Sequence, residues 1–415
     1  MSGLAQLSEG TRKRTEDLVG VASTQLNTMG VSVEWMGEIA AELGITRPAL
    51  YNYVRDRGDL QYKCYIRTCE VLEAALDRAM RTRDAEATIS SFLRLTNSGA
   101  SLEPAVLCEI DALSQERQEV IRQRRDRVVS RIAKVVKLGI ENGQFRSVDA
   151  TIVSNAIVGM ANWTALERRW SAKPNLILSA SGIAEILFRG IAHNYEVAFR
   201  KPNSFARPRT ASVRLFDRRS LESAKREAIL VVASGLFNRR GVGATRVEDI
   251  AANLGLNKRA IYHIIGQKQA MVEACVDRAY RFYLNVMDIA EHSDCTRLEA
   301  MFGALRDVIE VANDPESAVL VPYVGFGQLS PAGRKKATAY ARRLFEGYER
   351  ILIAGEAECS IRRMSHDQTL AGLPGVFSWV ANVRVMSPEE RARVADELAT
   401  LAIYGLRQQE KKVGK

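Results

Sequence analysis

Histidine and cysteine, which most often build metal and nucleophilic sites, are scarce in this 415-residue chain, with four and six copies. His193, His263, His292 and His366 are scattered, and the cysteines form no CxxC pair or zinc-ligand spacing. A chain of this size needs no disulfide scaffold. The HExxH, P-loop, GxSxG and dinucleotide-binding glycine fingerprints are all missing. An enzyme would need a site made wholly from unpatterned residues, so the chain is read as non-enzymatic, with no metal and no cofactor. No run approaches the roughly 18 apolar residues of a membrane span, and the N-terminus has no apolar leader segment. A cytoplasmic, reduced protein without a membrane partner is expected. Alternating β-branched runs bounded by Asn-Gly or Asp-Gly turns are missing too, which leaves an all-α fold.

What is present is positive charge and repetition. The net charge is +10, the pI near 9.4, and 47% of residues are hydrophobic, so the chain can bury large cores and favours a polyanionic partner. The stretch GEIAAELGITRPALYNYV, 37–54, returns as EDIAANLGLNKRAIYHII, 248–265. Aligning Ile39 with Ile250 brings Gly30 onto Gly241, Gly44 onto Gly255 and Tyr51 onto Tyr262 without a gap.

Each copy reads as a short helix, a tight turn and a second short helix. Met36, Ile39, Ala40 and Leu43 fall on one helical face. Gly44 follows where a left-handed residue closes a helix, Thr46 is placed to cap the next one, and Pro48 sits in its first turn. Leu254, Gly255 and Asn257 take the same places in the second copy. A helix precedes each unit, over 12–29 with a basic start and with Leu18, Val21, Ala22 and Leu26 in phase, and again around Ile229, Val232, Ala233 and Leu236.

Further helices are expected at 60–80, 84–97, 103–112, 115–141, 149–170 and 180–199. Residues 201–220 hold two prolines and many arginines without an apolar period and read as a basic linker. Fully extended, they would reach about 65 Å. Beyond the second helix-turn-helix the repeat resumes. Leu113-Ser114 matches Leu329-Ser330, Gly139 matches Gly355, Arg146 matches Arg362, and Gly159-x-x-x-Trp163 matches Gly375-x-x-x-Trp379. Gly190 pairs with Gly405. Two copies of one helical unit account for the whole chain except the linker.

These residues resemble the TetR family of transcriptional regulators. The likeness covers nearly the whole chain twice and is strongest over 30–60 and 241–271. It implies helix-turn-helix domains at 1–60 and 221–271, and larger helical ligand-binding and dimerisation domains at 61–200 and 272–415. Family members are usually homodimers, so the resemblance implies an intramolecular pseudo-dimer, with 149–199 against 366–408; further homo-oligomerisation is left open. The expected partners are a double-stranded DNA operator and a small hydrophobic or acyl-CoA-like effector, the latter hinted at by NWTALERRWSAKP.

Residues at the N-terminal end of a helix in the major groove reach base edges. Here these are Thr46, Arg47, Pro48 and Asn52 in the first copy, and Asn257, Lys258, Arg259 and His263 in the second. Tyr51, Tyr262, Arg57 and Lys268 match phosphate-binding positions of the family, and Thr245 is placed with them. Because the two sets differ, an asymmetric operator is expected, with unlike half-sites about 34–36 Å apart. Gly37 and Trp35 depart from the family pattern and point to a weaker first head. An effector pocket is expected near Trp163, Trp170, Phe188 and Tyr195 in the first half, and near Tyr323, Phe326, Phe377 and Trp379 in the second. Cys64 and Cys275 correspond, as small buried side chains or as a redox pair. A ligand-responsive repressor is the expected function; the rivals are a sequence-nonspecific architectural DNA binder and an enzyme.

Overall fold

The computed structural model describes residues 9–30, 35–82, 84–97, 104–170, 178–194, 202, 204–206 and 217–408, apart from the side chains at 9–12, 29 and 168–170. The described residues are helical with no strand. The first half runs α1 (Glu9–Met29), α2 (Trp35–Glu42), α3 (Arg47–Leu50), α4 (Arg57–Ala79), α5 (Ala85–Thr96), α6 (Gln115–Glu141), α7 (Ala150–Trp170) and α8 (Ala180–Arg189). The second runs α9 (Arg218–Ala244), α10 (Val247–Asn253), α11 (Lys258–Ile265), α12 (Lys268–Glu291), α13 (Arg297–Ala312), α14 (Pro331–Ala357), α15 (His366–Gly372) and α16 (Pro388–Tyr404).

The repeat is visible element by element, with one break. Where α7 passes Val158 without interruption, the second half has Pro374. Proline lacks the amide donor and its ring crowds the preceding turn, so α15 stops at Gly372 and a 3-10 turn, Leu373–Val376, follows.

Two stretches differ from the sequence expectation. Residues 104–109 are not helical, and only a 3-10 turn, Ile110–Ala112, follows them. Their backbone groups are claimed by distant side chains. Asn27 donates from Nδ2 to the Pro104 carbonyl (2.9 Å) and accepts from the Val106 N–H (2.8 Å), while Thr68 donates to the Ala105 carbonyl (2.6 Å). Asn238 repeats the clamp in the second half on Val319 (2.9 Å) and Val321 (3.0 Å). The helix expected over 180–199 ends at Arg189, because Gly190 turns left-handed (φ 57°). The linker is partly docked: the Phe205 and Ala206 N–H groups donate to Oδ2 of the buried Asp307 on α13, at 2.6 and 3.0 Å, and α9 already begins at Arg218.

The halves meet through reciprocal contacts. Arg146 donates from Nε to the Gly405 carbonyl (2.6 Å), and Arg362 to the Gly190 carbonyl (2.8 Å). A Cβ on Gly190 would lie 2.3 Å from the Ile403 carbonyl oxygen, and one on Gly405 would lie 2.5 Å from the Phe188 carbonyl, so only glycine permits this approach. The Gly-x-x-x-Trp motifs cross in the same way: Gly159 lies under Trp379 and the Gly375 backbone, and Gly375 lies under Trp163. The helices α7, α8 and α16, with α15 and its 3-10 extension, pack together as the central bundle. The leading helices also cross over, α9 onto Ile110–Ala112 and α1 onto Phe326–Gln328.

Candidate nucleic-acid interface and ligand cavity

Local chemistry builds both turn motifs. Gly44 and Gly255 take left-handed φ values of 64° and 63°, where other residues are strained. Thr46 then caps α3 by accepting from the Ala49 N–H (3.4 Å), and Asn257 caps α11 by accepting from the Ala260 N–H (2.9 Å). The second helices diverge at their ends. Gly266 (φ 92°) closes α11 after eight residues, whereas Arg55 stands in its place and α3 is four residues long. Tyr51, Asn52 and Tyr53 continue α3 as tight turns, their N–H groups reaching Pro48, Ala49 and Leu50. Lys63 pins this end by donating to the Tyr53 carbonyl (2.7 Å).

Thr46, Arg47, Pro48, Tyr51 and Asn52 are exposed on one head, as are Asn257, Lys258, Arg259, Tyr262 and His263 on the other. Tyr51 and Tyr262 are 48% and 39% exposed, which for large aromatic side chains marks a surface held open rather than helix packing. Lys258 is engaged at home: it pairs with Glu248 (2.7 Å) and lies over the Tyr262 ring. That hydrogen bond raises its pKa and lowers that of Glu248. The first head has Gly37 in place of Glu248, so Arg47 has no such acidic neighbour at that position.

Arg57 and Lys268 are half-buried at the N-termini of α4 and α12. Burial pushes the Lys268 ammonium down, and the Arg57 guanidinium of the other head adds to the shift.

One sequence assignment changes. Thr245 is fully buried and its hydroxyl donates to the Gly241 carbonyl (2.8 Å), so it closes α9 and cannot reach DNA. Trp35 is also fully buried, inside the first head's core, whereas its counterpart Arg246 stays on the surface. A Cβ at Gly37 would meet nothing, so that glycine marks no close approach.

A second feature lies in the body of the second half. An apolar cavity of about 130 Å³ is lined by Met301, Leu305, Leu344, Tyr348 and other side chains from α12–α15, and by Trp163 of the first half. Of the expected pocket residues, Trp163, Tyr323 and Phe377 line it. Trp163 donates from Nε1 to the Ala371 carbonyl (2.6 Å) and meets Tyr323 edge-on at 5.9 Å. Trp379 instead helps line a cavity of about 30 Å³ in the first half. Phe188 is buried in the bundle against Phe145 and lines an open groove beside Glu86 and Arg407 rather than the apolar cavity, and Phe326 lies in its 3-10 turn away from that cavity. The Trp170 side chain and Tyr195 lie outside the described residues.

Sequence reading missed Tyr283 and Tyr348, which carry no motif. Burial raises the pKa of both, which keeps their hydroxyls neutral. Among the described residues one group has metal-capable atoms close together, Asp288, Glu291 and His292. Two of its three members are engaged elsewhere: Glu291 pairs with Arg350 (2.8 Å), and His292 Nδ1 contacts the Asp288 backbone carbonyl (2.8 Å). Cys64 and Cys275 are small buried side chains, their thiols donating to the Val19 and Leu230 carbonyls and pushed up to about 12 by burial.

Comparison with known proteins agrees with this layout. Residues 86–170 match the family model for the tetracyclin repressor-like C-terminal domain, and residues 229–275 match the model for bacterial regulatory proteins of the tetR family. The HTH-type transcriptional repressor KstR2 of Mycolicibacterium smegmatis is 32% identical over 98 residues, covering 23% of this chain and 47% of the relative. The chain thus spans about half the length of that curated relative. Among solved structures, the regulator PfmR of Thermus thermophilus is 25% identical with a TM-score of 0.35, covering 43% of this chain and 97% of its own. A TetR-family regulator of Bordetella parapertussis is 18% identical with a TM-score of 0.35, covering 44% and 95%. Residues 86–170 and 229–275 are thus similar to the two domains of tetR-family bacterial regulatory proteins.

Proposed function

We propose that this chain is a sequence-specific DNA-binding regulator, a ligand-responsive repressor that carries both reading heads of a dimer in one polypeptide. The observation that carries it is the pair of capped second helices, α3 and α11, whose exposed N-terminal residues differ at every counterpart position from Thr46/Asn257 to Asn52/His263 except the two tyrosines and Ala49/Ala260. Side chains of that kind read base edges in the major groove, each good bidentate pair being worth about 1–3 kcal/mol. Arg47 or Arg259 would suit guanine, and Asn52 adenine. Tyr51, Tyr262, Arg57 and Lys268 would hold phosphate and fix register without reading sequence.

Support for a fused pair comes from a C-terminal-type match that precedes an N-terminal-type match along the chain. The reciprocal Arg146–Gly405 and Arg362–Gly190 contacts have the isologous pattern of a two-fold interface. We therefore read the domains as 1–60 and 61–200, the linker 201–220, then 221–271 and 272–415, forming an intramolecular pseudo-dimer. Its operator would be asymmetric, and tethering would make the second head's binding intramolecular.

The test is a footprint and affinity measurement at physiological salt on the DNA upstream of its own coding sequence against random DNA. A preference on the order of a thousandfold or more with an asymmetric footprint is expected. A ratio near one would support a nonspecific architectural binder instead, and a perfect palindrome needing both heads equally would contradict the unlike-head reading.

A further inference from the structure

The repeat makes a comparison possible that a single unit would not. The two cavities occupy corresponding places, each roofed by the other half's motif tryptophan: Trp163 over the second half's cavity, Trp379 over the first's. Their chemistry is opposite. Ala341 lines the large cavity from α14, and its counterpart on α6 is Arg125. Arg125 lines the small cavity and donates from Nη2 to the Asn155 Oδ1 at 2.5 Å, while Asn155's own counterpart is Ala371. A hydrogen-bonded Arg–Asn pair thus occupies the first half where the second has two alanines.

We propose that the chain carries one effector site rather than two: the Trp163-roofed cavity takes a compact, uncharged, apolar ligand of about one ring, and Arg125 with Asn155 closes the corresponding place in the first half. This rests on the reading of the chain as a ligand-responsive regulator. Size sets the first limit: an apolar cavity of about 150 Å³ accommodates benzene, and this one is about 130 Å³. Charge sets the second. Among the described residues lining it there is no Asp, Glu, Lys, Arg or His. Three of its four hydroxyls are committed: Tyr283 donates to the Leu320 carbonyl (3.1 Å), Tyr323 to the Ser378 carbonyl (2.8 Å), and Ser378 to the Gly375 carbonyl (3.4 Å), which leaves Tyr348 as a neutral donor. A carboxylate or a phosphate-bearing headgroup would be buried there without a cationic partner.

The cavity is also wired to one head. Val321, Pro322 and Tyr323 line it, and the Val321 N–H is one of the two groups held by Asn238 of α9. A ligand pressing on this segment acts directly on the second head's leading helix, and through Trp163 it bears on α7 of the first half.

The experiment is calorimetric titration of the full chain with benzyl alcohol and butanol-to-octanol, and with benzoate and the matching alkanoates. Saturable binding of the neutral probes at one equivalent per chain is expected, with the carboxylates on the order of a hundredfold weaker. Ala341→Leu should cut neutral-probe affinity at least tenfold. Arg125→Ala, shown folded by circular dichroism, should gain a second equivalent. Two equivalents in the unmodified chain, benzoate binding as tightly as benzyl alcohol, or no saturable neutral binding would each overturn the proposal. A folded Arg125→Ala protein that still takes one equivalent would overturn the role of Arg125. Repeating the titration with operator DNA separates the two ideas: binding without any change in DNA affinity leaves the site standing and removes the regulatory reading.

Discussion

Gly159→Ala tests the crossing of the two halves with a single methyl group. Gly159 lies inside α7, where alanine is favoured over glycine by about 0.8–1 kcal/mol. Were the site open, the change would stabilise the protein. At Gly159, however, the new Cβ would lie 2.8 Å from the Gly375 carbonyl oxygen and 3.1 Å from Trp379 Cδ1. Backbone cannot swing aside as a flexible side chain can, and overpacking of this kind costs about 1–3 kcal/mol. The two effects oppose each other, and the clash should win by about 1 kcal/mol. Gly37→Ala is the matched control, since it is also inside a helix but its Cβ meets nothing within 4 Å. It should stabilise by about 0.8–1 kcal/mol, leaving the two variants about 2 kcal/mol apart. Urea unfolding followed by far-ultraviolet circular dichroism measures both midpoints. Equal stabilisation in the two variants would refute the close crossing.

Other outcomes follow from the same geometry. Asn238→Ala strands the Val319 carbonyl and the Val321 N–H, and should cost about 2–3 kcal/mol with faster amide exchange at 321. A thiol reagent at neutral pH should modify the exposed Cys359 in the native protein, while Cys64, Cys69 and Cys275 react only after denaturation, as read by mass spectrometry. These three thiols are pushed up to about 12 from an ordinary 9.0. Their contribution to stability is complete below pH 9 and is lost as pH rises from there toward 12, because the unfolded thiols ionise first. Unfolding midpoints across that window should fall with pH, and a flat profile would contradict the shifts. Arg47→Ala and Arg259→Ala should each relax base preference at one half-site by about 1–3 kcal/mol, whereas Arg57→Ala should weaken all sequences alike and flatten the salt dependence, as measured by competition binding.

The parts of the fold that sequence reveals are those decided by neighbours in the chain. Gly44 and Gly255, the Thr46 and Asn257 caps and Pro48 obey rules acting over a few residues, so the two turns were legible in the sequence. Residues 104–109 were not, because Asn27, Thr68 and Tyr65, far away in sequence, take their backbone groups. Thr245 misled for a related reason: whether a cap threonine faces solvent or its own helix depends on the packing around Gly241. The Gly-x-x-x-Trp repeat was visible, but not that each glycine seats the other half's tryptophan. Arg125 gave no signal as a surface-type residue; only its alignment with Ala341 could have drawn attention to it.

The reciprocal arginine–glycine contacts have a consequence for how this protein can change. In a dimer of identical chains, one codon specifies a contact twice, so a damaging substitution strikes both crossings together. Here Arg146, Gly405, Arg362 and Gly190 are four separate codons serving two crossings. One crossing can be altered while the other still holds the halves together, and selection can act on each side alone. That independence would let one cavity fill with Arg125 and the other stay empty, and let two heads that began alike come to face different bases.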